Sequence, residues 1–126
     1  MYSFSQRSLE RLKGVHPDLV KVMQASISAS PYDFGITEGF RSIERQRTLT
    51  AEGKSLTLNS RHLTGHAVDI AIFIDGKVTW DNKYYNEVAK HILAVAEKMG
   101  VSIVWGGTFR RLVDSVHFEL NKKVYP

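Results

Sequence analysis

Two short stretches of this chain concentrate the residue types that can hold a metal ion. The first, Ser60-Arg61-His62-Leu63-Thr64-Gly65-His66-Ala67-Val68-Asp69, carries two imidazoles and a carboxylate. The second, Asp114-Ser115-Val116-His117-Phe118-Glu119-Leu120, sets an imidazole between two carboxylates. The chain has no cysteine, so a metal can be held only by imidazole and carboxylate. Asp69 lies inside the apolar run Val68-Asp69-Ile70-Ala71-Ile72. A carboxylate buried there is costly unless a cation or strong donors meet it, and a metal ion does so directly.

His62 and His66 are spaced to share one face of a helix, as in H-E-x-x-H zinc sites. The residues between them argue against a helix. Leu63 stands where the catalytic Glu would be, Gly65 interrupts the middle, and the segment runs into β-branched residues. The stretch is instead expected to be a loop turning into a strand, with Gly65 allowing the turn. The ligand pair is then His62 in the loop and Asp69 in the strand, with Ala67 and Asp69 on the face opposite Val68 and Ile70. His66 is the alternative ligand and is placed near the site. His117, in a second strand pattern, is the third ligand. Two His and one Asp leave a coordination position open for water, the pattern of a catalytic rather than a structural zinc. Such a site needs a base for the water proton. Asp114, three residues before His117 at the turn entering its strand, is the candidate. His16, at a helix start, and His91, on a helix stripe, are expected to be structural.

The elements that must position these groups follow from pattern. Ser5 to Lys13, with Leu9 and Leu12 among charges, is expected as a short amphipathic helix that stops at Gly14. His16-Pro17-Asp18 opens a second helix to about Ser28, its buried face formed by Leu19, Val20, Val22 and Met23. Phe34 to Glu38 alternates as a strand. Ser42 caps a helix from Ile43 to about Glu52, and Gly53 to Asn59 is a loop. Ala67 to Ile74 is the most strand-like segment. Asp75-Gly76 signals a hairpin into Lys77 to Trp80. Asp81 or Asn82 caps the longest helix, Tyr84 to Met99, with Val88, His91, Ile92, Val95 and Met99 along one stripe and Gly100 at its end. Val101 to Trp105 and Val116 to Leu120 are the last strands, joined through the Gly106-Gly107 turn. The tail Asn121 to Pro126 is expected on the surface. Helices around a small set of strands, two of them in a tight hairpin, predict an α+β fold with a mainly antiparallel sheet.

Composition bounds the possibilities. The 126 residues suit one domain, residues 1–126, and 43% hydrophobic content suffices for a core. A net charge of +4 and a pI near 9.4 suit a polyanionic partner such as nucleic acid, an anionic membrane surface or an acidic wall polymer. Nucleic acid is not expected, because the aromatic residues do not interleave with basic ones in a stacking pattern. No signal-peptide core is visible, and no run approaches the ~20 apolar residues of a membrane span. A cytoplasmic protein with no stable membrane association is expected.

The pattern Ser60-x-His62-x-x-Gly65-x-Ala67-x-Asp69, followed by Asp114-x-x-His117, resembles the zinc peptidases of the D-alanyl-D-alanine peptidase group. That group includes the VanX and VanY resistance enzymes and the phage L-alanyl-D-glutamate endopeptidases. Gly39-Phe40-Arg41-Ser42 and Trp105-Gly106-Gly107 resemble further elements of it, so the likeness runs from about Pro31 to Leu120. Small size and the Ser30 to Phe34 stretch look most like a phage endolysin. The resemblance implies a Hedgehog/D-Ala-D-Ala-peptidase-like fold and one catalytic zinc on His62, Asp69 and His117. It implies Asp114 as general base and Arg41 as a contact for the substrate and the transition state. A guanidinium suits either a substrate carboxylate or a developing oxyanion. Ser60 either orients His62 or touches substrate. Glu119 shares the strand face of His117 and could support it from behind. Thr108 departs from the acidic residue that many relatives carry after the Gly-Gly pair. The Thr108 to Val113 stretch is short and basic, with Arg110 and Arg111, so no calcium dependence is expected.

Together these features predict a zinc peptidase acting on the peptide stem of peptidoglycan, most plainly at L-Ala–D-Glu. It would be a monomer that waits in the host cytoplasm until the membrane is permeabilised. The rival expectations are a D-Ala-D-Ala carboxypeptidase or dipeptidase, and a zinc-bearing binding module without catalysis.

Overall fold

The structure is a computed structural model that describes residues 1–54, 60–110 and 113–126. Most of the expected loop before Ser60, and Arg111 of the basic stretch, lie outside the described residues. Among the described residues four α-helices form: α1 (Gln6–Arg11), α2 (Pro17–Ser28), α3 (Ile43–Ala51) and α4 (Asn82–Met99). Five strands form among them: β1 (Asp33–Glu38), β2 (Ala67–Ile74), β3 (Lys77–Thr79), β4 (Ile103–Trp105) and β5 (His117–Leu120). The α+β expectation holds.

The helices begin where their first N–H groups find acceptors. Ser5 accepts from Ser8 N in α1, Ser42 from Arg45 N in α3, and Asp81 from Lys83 N in α4. In α2 the acceptor is an imidazole, His16 Nδ1, and Pro17 fills the first turn. Gly100, with φ of 72°, closes α4 in the left-handed region.

Every strand pairing is antiparallel, and the main path of the sheet runs β1-β2-β5-β4. β2 is its spine. β1 lies along one edge, while β5 takes Ala67 to Asp69 and β3 takes Ile72 to Ile74 on the other. One face, with Val68, Ile70, Ile72 and Phe118, packs with α2 and α4 into the core. Each such side chain contributes about 1.5–3 kcal/mol on burial. Tyr85 on α4 pins the hairpin to this core: its hydroxyl donates to Thr79 O at 2.8 Å and accepts from Ile72 N at 3.1 Å. The opposite face carries Asp69 and His117, which are directly paired across β2 and β5.

Several expectations needed correction. Leu9 is exposed and Ser8 is buried instead, because α1 lies on the edge of β1 and Ser8 Oγ accepts from Ile36 N at 3.0 Å. The core stripe of α4 is Tyr85, Val88, Ala89, Ile92 and Ala96; Met99, at the C-terminal end of the helix, is exposed. β4 starts at Ile103, α4 begins at Asn82, and β3 ends at Thr79, leaving Trp80 exposed. His62 sits in a 3₁₀ turn, Arg61–Thr64, rather than in an irregular loop. The tail is not merely superficial. Tyr125 donates its hydroxyl to Asp18 Oδ2 at 2.7 Å and sets its ring edge-on to His16 at 5.2 Å. Among the described residues, no helix is long and apolar enough to cross a membrane.

Gly65 joins the 3₁₀ turn to β2 with φ of 75°, and its carbonyl accepts from His16 N at 2.8 Å. A Cβ there would overlap the Gly14 carbonyl oxygen. Gly65→Ala should therefore destabilise the fold by at least about 1–2 kcal/mol, the cost of the left-handed backbone alone. A urea midpoint unchanged from wild type would refute this account of the turn.

Candidate metal centre

A β-bulge aligns the site. β1 and β2 pair Ile36 with Ile70, then skip Thr37 and pair Glu38 with Asp69. Glu38, Asp69 and His117 thus form one row across β1, β2 and β5. His62 enters from the 3₁₀ turn. Its start is capped by Ser60 Oγ, which accepts from His62 N at 3.2 Å. The Arg41 backbone N–H donates to the His62 carbonyl at 2.9 Å, tying this turn to the start of α3.

The ring contacts decide where protons sit. His62 Nδ1 lies 2.8 Å from Gly39 O. A carbonyl can only accept, so Nδ1 carries the hydrogen and Nε2 of the neutral ring presents a lone pair. That lone pair faces Asp69 Oδ1 at 3.2 Å. His117 Nε2 lies 2.9 Å from Glu119 Oε1, and its Nδ1 lies 3.0 Å from the same Asp69 Oδ1. Two ring nitrogens and one carboxylate oxygen therefore converge, and one ligand atom from each of His62, Asp69 and His117 lies within 4.8 Å of the others. Three acceptors in one place repel unless a cation joins them. The set fits a divalent ion that favours nitrogen and oxygen donors, such as zinc.

Electrostatics agree. Burial alone would raise the Asp69 pKa, but its contacts with the imidazoles of His117 and then His62 hold it well below the usual carboxylate range. Burial alone would lower that of His117, but the contacts with Asp69 and Glu119 prevail and raise it to about 9. A proton on His117 meets the same need for positive charge among these groups.

A cavity of about 280 Å³ opens at this cluster, lined by Glu38, Arg41, Leu49, Lys54, Ser60, His62, Asp69, Asp114 and His117. All six residues singled out from sequence, Arg41, Ser60, His62, Asp69, Asp114 and His117, lie on it. Asp114 is delivered by a tight loop. Its N–H donates to Gly106 O at 3.0 Å, and its carbonyl accepts from His117 N at 3.1 Å. Gly106 is required here, since a Cβ would overlap the Asp114 carbonyl oxygen. Partial burial, then the charge of Asp69, push the Asp114 pKa above its ordinary value.

Arg41 is buried behind the cluster. It grips Glu38 through Nε and Nη2, both at 2.7 Å, and donates from Nη1 to Gln46 Oε1 at 2.6 Å. Its Nη1 also reaches Ser60 Oγ at 3.4 Å, and Nη2 stands 4.0 Å from Asp69 Oδ2. Sequence reasoning missed Glu38 and Gln46. Glu38 reads as an exposed strand end until the bulge aligns it, and the fully buried Gln46 sits in a helix of otherwise polar pattern. His66 lies away from the cluster. Its ring is 5.6 Å from that of His16, and its Nδ1 meets Thr64 Oγ1 at 2.6 Å. Phe109 packs beside His117 at 5.8 Å.

A small α+β domain with two His and one Asp converging on an open polar cavity has the build of a metallopeptidase. Residues 1–125 match the family model described as phage L-alanyl-D-glutamate peptidase, and the chain belongs to that family. It is 30% identical to the L-alanyl-D-glutamate peptidase of Escherichia phage T5, over 98% of this chain and 93% of that protein. It is 30% identical to the peptidoglycan L-alanyl-D-glutamate endopeptidase CwlK of Bacillus subtilis, over 92% of this chain and 81% of that protein. The Serratia marcescens L-Ala D-Glu endopeptidase ChiX superimposes with a TM-score of 0.92 at 44% identity, covering 98% of this chain and 93% of that one. The vancomycin resistance D,D-pentapeptidase VanY, solved with Zn(II), shares the fold at a TM-score of 0.60 and 15% identity, covering 84% of this chain and 72% of its own. The D-Ala-D-Ala-peptidase-like architecture expected from sequence is therefore present.

The His117 shift has a consequence for stability. Its folded pKa of about 9 exceeds the ordinary 6.5, so between those values the folded chain binds more proton than the unfolded one. Stability from this group is full below the ordinary value and is lost as pH rises through about 9. The metal-free protein should accordingly melt at lower temperature at pH 9.5 than at pH ~7, and His117→Gln should flatten that trend. A metal-free midpoint that rises across this window would contradict the assignment.

Proposed function

We propose that this chain is a single catalytic domain, a zinc-dependent peptidoglycan endopeptidase that hydrolyses the L-Ala–D-Glu bond of the stem peptide. The observation that carries the reading is the convergence of His62 Nε2, Asp69 Oδ1 and His117 Nδ1 on a cavity that Asp114 also lines. Membership of the L-alanyl-D-glutamate peptidase family supports the choice of bond.

One zinc ion held by His62, Asp69 and His117 would supply Lewis acidity for the scissile carbonyl and lower the pKa of the attacking water. The chain's own groups do the rest. Asp114 takes the proton from that water and delivers it to the leaving amine. Its raised pKa, from burial and then from Asp69, makes it a better proton carrier than an ordinary carboxylate. Gly39 O and Glu119 hold the outer nitrogens of the two imidazoles, keeping the inner ones free for the ion. Most donors of Arg41 are committed to Glu38, Gln46 and Ser60, so it meets substrate through the Nη2 edge beside Asp69. There it faces a substrate carboxylate or the developing oxyanion. Ser60 orients both His62 and Arg41.

The net charge of +4 favours an anionic wall over a neutral surface. As an endolysin, the protein would act as a monomer released from the host cytoplasm once the inner membrane is permeabilised.

Muropeptide mass spectrometry after digestion tests the reading. Products with a free N-terminal D-Glu are expected, and they should vanish with a chelator and return with zinc. Release of D-Ala instead would move the enzyme to the carboxypeptidase class, and full activity without metal would end the proposal. Asp114→Ala should lower kcat by about 10²–10⁴-fold while zinc content stays stoichiometric. Wall lysis undiminished in that variant would remove Asp114 from the mechanism.

A further inference from the structure

His117 is engaged at both ring nitrogens, from opposite sides. Nδ1, the nitrogen nearer the backbone, faces Asp69 across the strand pair at 3.0 Å. Nε2, the distal one, meets Glu119 Oε1 at 2.9 Å, two residues along the same strand face. An imidazole free to turn about its χ2 bond could offer either nitrogen to the site. Glu119 removes that freedom: with Asp69 committed to the metal and needing no hydrogen from Nδ1, the Glu119 carboxylate takes the ring's one hydrogen on Nε2. Directly across from Glu119 are Ala67 on β2 and Val104 on β4, so its row neighbours are apolar and offer it no hydrogen.

Glu119 is itself held. Its Oε2 lies 3.7 Å from Arg61 Nε, and the two side chains are only 14% and 11% exposed. That Nε is buried and makes no hydrogen bond of its own. The far end of the guanidinium is anchored: Nη2 donates to Leu120 O at 3.1 Å and to Tyr125 O at 2.7 Å. Arg61 also immediately precedes His62 in the 3₁₀ turn. A continuous line of contacts thus runs from the C-terminal tail through Arg61 and Glu119 to His117.

We propose that Glu119 and Arg61 are positioning residues that set which nitrogen of His117 faces the metal, with the docked C-terminal tail as their anchor. This rests on the metal reading above. Glu119 holds the Nε2 hydrogen, leaving Nδ1 toward His62 and Asp69. Arg61 holds Glu119 against that ring. The tail, held by Tyr125 on Asp18 and His16, keeps Arg61 from turning to solvent.

Two measurements test it. Long-range ¹H–¹⁵N spectra of the zinc-loaded wild type report the His117 tautomer. Hydrogen on Nε2 and metal on Nδ1 are expected, and the reverse would overturn the proposal whatever the variants do. Zinc affinity by competition with a chromophoric chelator gives the second readout. Glu119→Ala should weaken binding about 10–100-fold, and Glu119→Gln, whose amide oxygen still accepts from Nε2–H, should recover most of the loss. Removing Tyr125 and Pro126 should weaken zinc binding in the same direction but less. Wild-type affinity in Glu119→Ala would refute the positioning role. No zinc binding by the wild type would instead overturn the metal reading itself.

Discussion

The structure turns on one electrostatic conflict. Asp69 Oδ1 lies 3.2 Å from His62 Nε2 and 3.0 Å from His117 Nδ1, and the outer nitrogen of each ring is committed to a carbonyl or a carboxylate. No arrangement of hydrogens on neutral rings satisfies all these contacts. A positive charge must sit among them, as protons on the imidazoles or as a metal ion. The site is therefore a cation receptor before it is a catalyst, and its chemistry follows from which cation it holds.

The sheet exists in a form that enforces this conflict. His117 could pair with Asp69 only if β5 lies beside β2 in the observed register. A slip of one residue would turn His117 into the core and Phe118 into the cavity. The apolar face prevents that slip, since Phe118 and Leu120 are fully buried beneath the sheet. On the other side of β2, the skip at Thr37 advances Glu38 into line with Asp69. Arg41 then bridges the two acids, with Nε 2.7 Å from Glu38 and Nη2 4.0 Å from Asp69. Negative charge thus accumulates from both strands, and Arg41 and the two imidazoles balance it.

Sequence alone carried the centre of this site but not its frame. His62, Asp69, His117 and Asp114 were legible because each is a polar residue where local pattern predicts burial or a turn, and such residues need a reason. The starts of α3 and α4 were legible because Ser42 and Asp81 are good caps whose partners are three residues away or fewer. Glu38 and Gln46 were not, since the first depends on a bulge and the second on how α3 docks. Arg61 gave no signal either. A charged residue in a turn is ordinarily solvated, and its burial is created by the tail, 64 residues away in the chain. Met99 and Leu9 failed for a related reason. Helical periodicity names a face, but the extent of the sheet decides how far along that face contact continues.

These long-range contacts make the site and the fold interdependent. His62 comes from a turn, Asp69 from the central strand and His117 from a strand reached only after the hairpin and α4. In the unfolded chain these three side chains are far apart, so a cation held by them would bind the folded form with strong preference and stabilise it in proportion to its affinity. The same linkage runs backwards. Whatever loosens the register of β2 against β5, or releases the tail from Arg61, spreads the three donor atoms and lowers affinity for the ion. A cluster drawn partly from one sheet row and partly from the adjoining turn therefore cannot be tuned independently of the packing beneath it, and the buried Phe118 and Leu120 belong to its design as much as His117 does.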